Sequence, residues 1–186
     1  MVDQDDQQVL LKLARQALQA RVHGSSSTPA LERGGVFDEP RGAFVTLHRR
    51  GELRGCLGRV DVAAPLIETI ADLAAIVADS DPRFEEVTPQ ELPDIEIEIS
   101  ILTPEQEVLS IEEIEVGRHG VIVEQGYKRG LLLPQVATEN GWNVTTFLEH
   151  VCRKAFLPAD AWRNGAKIFI FEAQVFAERP IDFPKD

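Results

Sequence analysis

The residues best suited to chemistry in this sequence lie together at Leu53-Arg54-Gly55-Cys56-Leu57-Gly58. One of only two cysteines stands between Gly55 and Gly58, with Arg54 two positions before it. Glycine goes where backbone approaches something closely or takes a positive φ, and it weakens an ordinary strand. The segment therefore predicts a bulged or kinked stretch that presents its thiol or its backbone amides. Two readings fit these residue types. Cys56 is a nucleophile or covalent carrier, its thiolate stabilised by Arg54, or it is a small buried residue filling a bulge.

Charge gives this stretch a context. The 186-residue chain has a formal net charge of −12, which argues against an extended nucleic-acid-binding or anionic-membrane surface. The distribution is uneven. Arg41 to Arg59 holds five arginines and one acid, Glu52, whereas Asp79 to Glu115 holds thirteen acids and one base, Arg83. The cysteine motif thus sits in the most basic part of an acidic protein. Either the arginines are solvated decoration of a hairpin, or they line a local site for a small anionic ligand. In the second case Arg54 and at least one of Arg49, Arg50 and Arg59 share a surface with Cys56.

Other chemistries find little support. The histidines His23, His48, His119 and His150 form no metal-ligand spacing. Two cysteines make neither a disulfide framework nor a thiolate metal site. Gly-rich phosphate loops and a Gly-x-Ser-x-Gly elbow are absent. No metal and no cofactor are expected. Hydrophobic residues at 44% and charged residues at 27% are ordinary for a globular protein, and no run of about 18 apolar residues predicts a membrane span. Met1 to Gln8 is acidic and polar, the wrong chemistry for a secretory signal. The expected location is cytoplasmic.

The elements that must position the motif follow from periodicity. Leu10, Leu13, Ala14, Ala17 and Leu18 predict an amphipathic helix over 7–22, stopped by a mobile loop from His23 to Pro29. Gly42 to His48 and Leu53 to Val60 predict two strands of a hairpin, which brings His48 and Arg50 within reach of Arg54. Pro65 opens a helix with Leu66, Ile70, Leu73, Ala74 and Val77 on one stripe. Ile95, Ile97, Ile99 and Ile101 alternate with Glu96, Glu98 and Ser100, so one strand face is buried and the glutamates are read as solvated. A second hairpin spans Gly120 to Leu133. Phe147, Leu148, Val151, Cys152 and Ala155 stripe a helix over 144–155, capped by Asn143 or Thr146 and with Cys152 in the core. Lys167 to Ala177 reads as a central strand, and Arg179 to Asp186 as a surface tail.

The expected class is α+β, two unequal lobes with a largely antiparallel sheet covered by helices. Strands near 42–48, 94–102, 119–133 and 167–177 share that sheet. The larger lobe is discontinuous, 1–48 with 94–186. The smaller, 49–93, carries the cysteine motif, and the whole forms one unit over about 7–178.

Leu53 to Gly58, Asp81-Pro82-Arg83-Phe84, Ile95 to Ser100, Gly130 to Val136, and Trp142 through Lys154-Ala155 together resemble the AMMECR-type domain. The likeness runs from about Gly42 to Glu178. It implies a role in an AmmeMemoRadiSam-like system, with a Memo-like protein and a radical S-adenosylmethionine enzyme as partners. The six-residue cysteine motif is its proposed centre. Two positions depart from the family pattern: Leu57 replaces isoleucine, and Phe156 stands where glycine is usual. On the enzyme reading, Cys56 and Arg54 carry the chemistry, Gly55, Gly58 and His48 border the substrate, and Gln135 offers it an amide. On the alternative, the chain is a non-catalytic adaptor whose glycines form a recognition surface and whose acidic segment docks a partner.

Overall fold

Helix α1, Gln4–Val22, buries Leu10, Leu11, Leu13, Ala14, Ala17 and Leu18. Asp3 caps it by accepting from the Asp6 amide at 2.9 Å, a contact worth about 1 kcal/mol. The computed structural model describes residues 2–25, 34–60 and 63–178. Most of the loop expected to follow α1, and the tail from Arg179, lie outside these residues. The chain divides into a first unit, residues 1–102 with 174–186, and a second unit, residues 103–173. No helix among the described residues is long and apolar enough to cross a membrane.

In the first unit, β1 (Ala43–Arg49) pairs antiparallel with β2 (Glu52–Arg59), and α2 (Leu66–Ile76) follows. Strand β3, Ile95–Leu102, pairs antiparallel with the other edge of β1. The alternation read in β3 holds: Ile95, Ile97, Ile99 and Ile101 are all buried. In register, Leu47 stands opposite Ile97 and Val45 opposite Ile99. These side chains share one core with α1 and α2, and each fully buried isoleucine contributes about 1.5–3 kcal/mol. Gly55 belongs to this helix side, because a Cβ there would lie 3.3 Å from the Val77 side chain and carbonyl.

The second unit holds β4 (Gln106–Val108), β5 (Gly120–Gln125), β6 (Lys128–Leu132), α3 (Pro134–Glu139), α4 (Val144–Lys154) and β7 (Lys167–Phe171). Its sheet order is β4-β7-β5-β6, so the doubly apolar β7 is an interior strand as expected. Helix α4 is capped by Asn143, which accepts from the Thr146 amide at 2.9 Å. Its buried face is Phe147, Leu148, Val151 and Cys152. Gly130 of β6 lets the backbone of Ala155 approach, for an added Cβ would meet the Ala155 nitrogen at 2.5 Å.

Two expectations are corrected. The strands do not share one sheet but form two antiparallel sheets of four, β2-β1-β3-β8 and β4-β7-β5-β6. The stretch read as one strand over 167–177 breaks at Glu172, and β8 (Ala173–Ala177) joins the first sheet. Residues 49–93 are not a lobe of their own. Strand β1 hydrogen-bonds β2 on one side and β3 on the other, while α1 and α2 share one core. The motif therefore lies inside the first unit.

Candidate functional site

The face of the first sheet opposite α1 and α2 is polar, because strand alternation sends the intervening residues there. Thr46 of β1 stands opposite Cys56 of β2 on one side and opposite Glu98 of β3 on the other. His48, two residues on, stands opposite Glu96. Cys56, Thr46 and Glu98 thus form a row across three strands, with His48 diagonal to the thiol.

The thiol is partly exposed. Thr46 Oγ1 donates to Cys56 Sγ at 3.3 Å. The Cys56 amide donates to Asp81 Oδ2 at 2.9 Å. Arg83 grips the same carboxylate with Nε on Oδ1 at 2.9 Å and Nη2 on Oδ2 at 2.7 Å, and Nη2 also reaches the Cys56 carbonyl at 3.4 Å. Asp81 is only 4% exposed. The Arg83 guanidinium holds its carboxyl well below the usual carboxylate range, against the opposing pull of burial and with the help of the Cys56 amide. The backbone of Cys56 is therefore bound to an anion that stays ionised.

His48 is 8% exposed, and neither ring nitrogen has a hydrogen-bond partner. Nε2 lies 3.9 Å from Glu98 Oε2, an ion-pair distance when the ring is protonated. A buried, unsatisfied polar group costs stability and persists where something else needs it. His48 is a second titratable group on this face, beside Cys56.

The remaining sequence-derived site residues make contacts of their own. Arg54 is the bulge residue: Leu47 pairs with Gly55 and His48 with Leu53. Its fork is committed to Glu91, at 2.9 and 3.2 Å, and to the carbonyls of Glu85 and Glu86. It clamps the 85–91 segment, and the guanidinium at the Cys56 backbone is that of Arg83. Gly55 receives Val77, and Gly58 receives the ring of Phe44, which would lie 2.1 Å from an added Cβ. Both glycines thus have packing partners where the sequence placed a substrate. Gln135 belongs to the second unit, exposed in the first turn of α3.

The hairpin arginines expected to form a basic patch are all paired with carboxylates. Arg49 pairs with Glu91 and Asp94, Arg50 with Asp94, Arg54 with Glu91, Arg59 with Asp72, and Arg41 with Glu39. Two of these four carboxylates, Glu91 and Asp94, come from the acidic stretch beyond α2. Each arginine expected to hold a small anion thus stands against a carboxylate within the first unit. Among the described residues, no three acid, histidine or cysteine side chains stand together as metal donors.

The AMMECR1 family model matches residues 11–176. The chain belongs to the AMMECR1 family. A relative from Methanothermobacter thermautotrophicus is 42% identical over 186 residues, 95% of this chain and 96% of its own. One from Methanocaldococcus jannaschii is 48% identical over 152 residues, 77% of this chain and 76% of its own. The crystal structure of an uncharacterized Pyrococcus horikoshii protein is similar at a TM-score of 0.74 and 37% identity, covering 92% of this chain and 90% of that one.

Within this AMMECR1 chain, sequence reasoning missed four side chains around Cys56 and His48. Asp81 and Arg83 lay in the Asp81-Pro82-Arg83-Phe84 stretch, which had no assigned role, and their partner Cys56 is 25 and 27 residues away. Thr46 carried a legible signal, since it shares a strand face with His48 by simple alternation. Glu98 looked like a solvated glutamate, and only the register of β1 with β3 brings it beside His48.

Proposed function

We propose that this AMMECR1-family chain acts through Cys56, as a nucleophile or covalent acceptor for a small electrophilic substrate. The observation that carries the reading is a partly exposed thiol held by Thr46 on the same face as a buried, unpartnered His48. Diagonal neighbours across a strand pair are about 7–8 Å apart at their Cα atoms, within reach of a long side chain or one bridging water. In the step proposed, Sγ bonds to the electrophilic carbon, the thiol proton passes to a ring nitrogen of His48, and a carbonyl oxygen or leaving group of the substrate takes the electron pair. Glu98 then faces the imidazolium. Asp81 and Arg83 position the strand under the sulfur, and Arg54 positions the 85–91 segment.

The setting proposed is cytoplasmic, where thiols stay reduced, and the partners are a Memo-like protein and a radical S-adenosylmethionine enzyme, as the resemblance implies. The adaptor alternative draws on Tyr127 and Phe156, 95% and 85% exposed in the second unit, as aromatic side chains of the kind enriched where partners dock. Brief iodoacetamide treatment with peptide mapping separates the two. The enzyme reading expects rapid labelling of Cys56, slowed about tenfold or more by His48→Gln. Labelling that needs denaturant makes Cys56 a packing residue, and partner binding that survives Cys56→Ser then favours the adaptor.

A further inference from the structure

We infer that the Cys56 face selects neutral or cationic electrophiles and discriminates against anionic ones. This rests on the thiol reading above and names the substrate class of the same site. The sequence pointed the other way, toward an anion held by hairpin arginines. In the folded chain each of those five arginines faces a carboxylate. Arg83, the guanidinium at the Cys56 backbone, is matched by Asp81. An incoming anion therefore finds no hairpin cation without a counter-charge.

The face itself carries acid. Glu98 shares the transverse row with Cys56 and Thr46. Strands are about 4.8 Å apart, which places the Glu98 backbone about 10 Å from that of Cys56. Glu98 Oε2 lies 3.9 Å from His48 Nε2. A unit charge at about 10 Å in a partly buried site changes the local concentration of a monovalent reagent several-fold. Attraction and repulsion together separate a monocation from a monoanion by roughly tenfold, and the separation shrinks as salt rises. The buried, unpartnered His48 beside this row is the group a neutral substrate oxygen or amine would meet.

Methanethiosulfonate reagents test the charge preference directly. The thiolate of Cys56 attacks the sulfenyl sulfur, a protein–reagent disulfide forms, the reagent's sulfur–sulfur bond breaks and methanesulfinate leaves with the electron pair. Rates at Cys56, read by peptide mass spectrometry, are compared for the trimethylammonium-ethyl, sulfonatoethyl and neutral methyl reagents. Each is normalised to its rate with the same cysteine in the denatured chain. The expected cation-to-anion ratio is about tenfold at low salt, falling toward unity in 1 M salt and in Glu98→Gln. A normalised ratio at or below one, with the neutral reagent reacting, overturns this inference and leaves the thiol reading standing. If none of the three reagents reacts, the thiol reading falls and this inference with it. A ratio unchanged in Glu98→Gln overturns the assignment of the selectivity to this face.

Discussion

The two cysteines occupy the two units and have opposite surroundings. Cys56 lies on the polar face of the first sheet, partly exposed, with a threonine hydroxyl on its sulfur and an ionised aspartate on its amide. Cys152 lies on the buried face of α4 in the second unit at 0% exposure, packed in one cluster with Phe147, Leu148 and Val151. Burial pushes the Cys152 thiol up, more than the backbone amides of Trp162 and Ala161 pull it down. The same functional group is thus a candidate nucleophile in one setting and a small apolar filler in the other. What differs is which atoms the fold places around the sulfur, since a thiolate is disfavoured wherever water is excluded without compensating donors.

The sharpest way to break this contrast is selective modification. Reagent reaches Cys152 only when the second unit opens, so in the native protein Cys56 should label faster by on the order of a thousandfold or more. Comparable rates at the two thiols, measured by peptide mapping, would erase the distinction.

The next effect concerns the support under Cys56. Asp81→Ala removes the acceptor of the Cys56 amide and the partner of Arg83, at a cost of about 2–3 kcal/mol for charge-assisted bonds to a buried carboxylate. The urea midpoint by circular dichroism should fall accordingly, and an unchanged midpoint would mean that the loop does not brace the strand.

Acid should weaken the same region. Glu91 is held down to about 2, first by the hydrogen bonds from Arg54 and then by those from Thr88, against burial. A carboxylate depressed in the folded state stabilises fully above its unfolded value, near 4.5, and that contribution is lost as pH falls through about 2. Glu91→Gln should lower stability at neutral pH and flatten its decline between those two values. A variant as steep as the wild type would locate the acid response elsewhere.

The smallest effect lies in the second unit. Phe156 follows α4 with φ at 57°, in the left-handed region, while the amides of Phe156 and Leu157 turn back onto Arg153 and Cys152. An L-residue there costs about 1–2 kcal/mol, and glycine would return part of that as chain entropy. Phe156→Gly should stabilise the second unit by about 0.5–1 kcal/mol. Both tryptophans, Trp142 and Trp162, lie in this unit, so tryptophan fluorescence during unfolding reads the change. A lower midpoint would mean that the exposed ring has a role in stability that its surroundings do not reveal.

Local periodicity determined much of this protein. The stripe Leu10 to Leu18, the alternation Ile95 to Ile101, the Asn143 cap and the burial of Cys152 all follow from neighbours two to four residues apart, where backbone geometry leaves few choices. The glycine-framed cysteine was legible for the same reason. Tertiary structure alone decided which sheet each strand edge joined. Edge hydrogen bonds are alike on every strand, so nothing in 167–177 announces that it divides between two sheets. The charge partners were decided there too. Arg54 finds Glu91 across 37 residues and Cys56 finds Asp81 across 25, because ion pairing depends on distance in space. Proximity along the chain set Arg54 beside Cys56, and folding replaced it with Arg83.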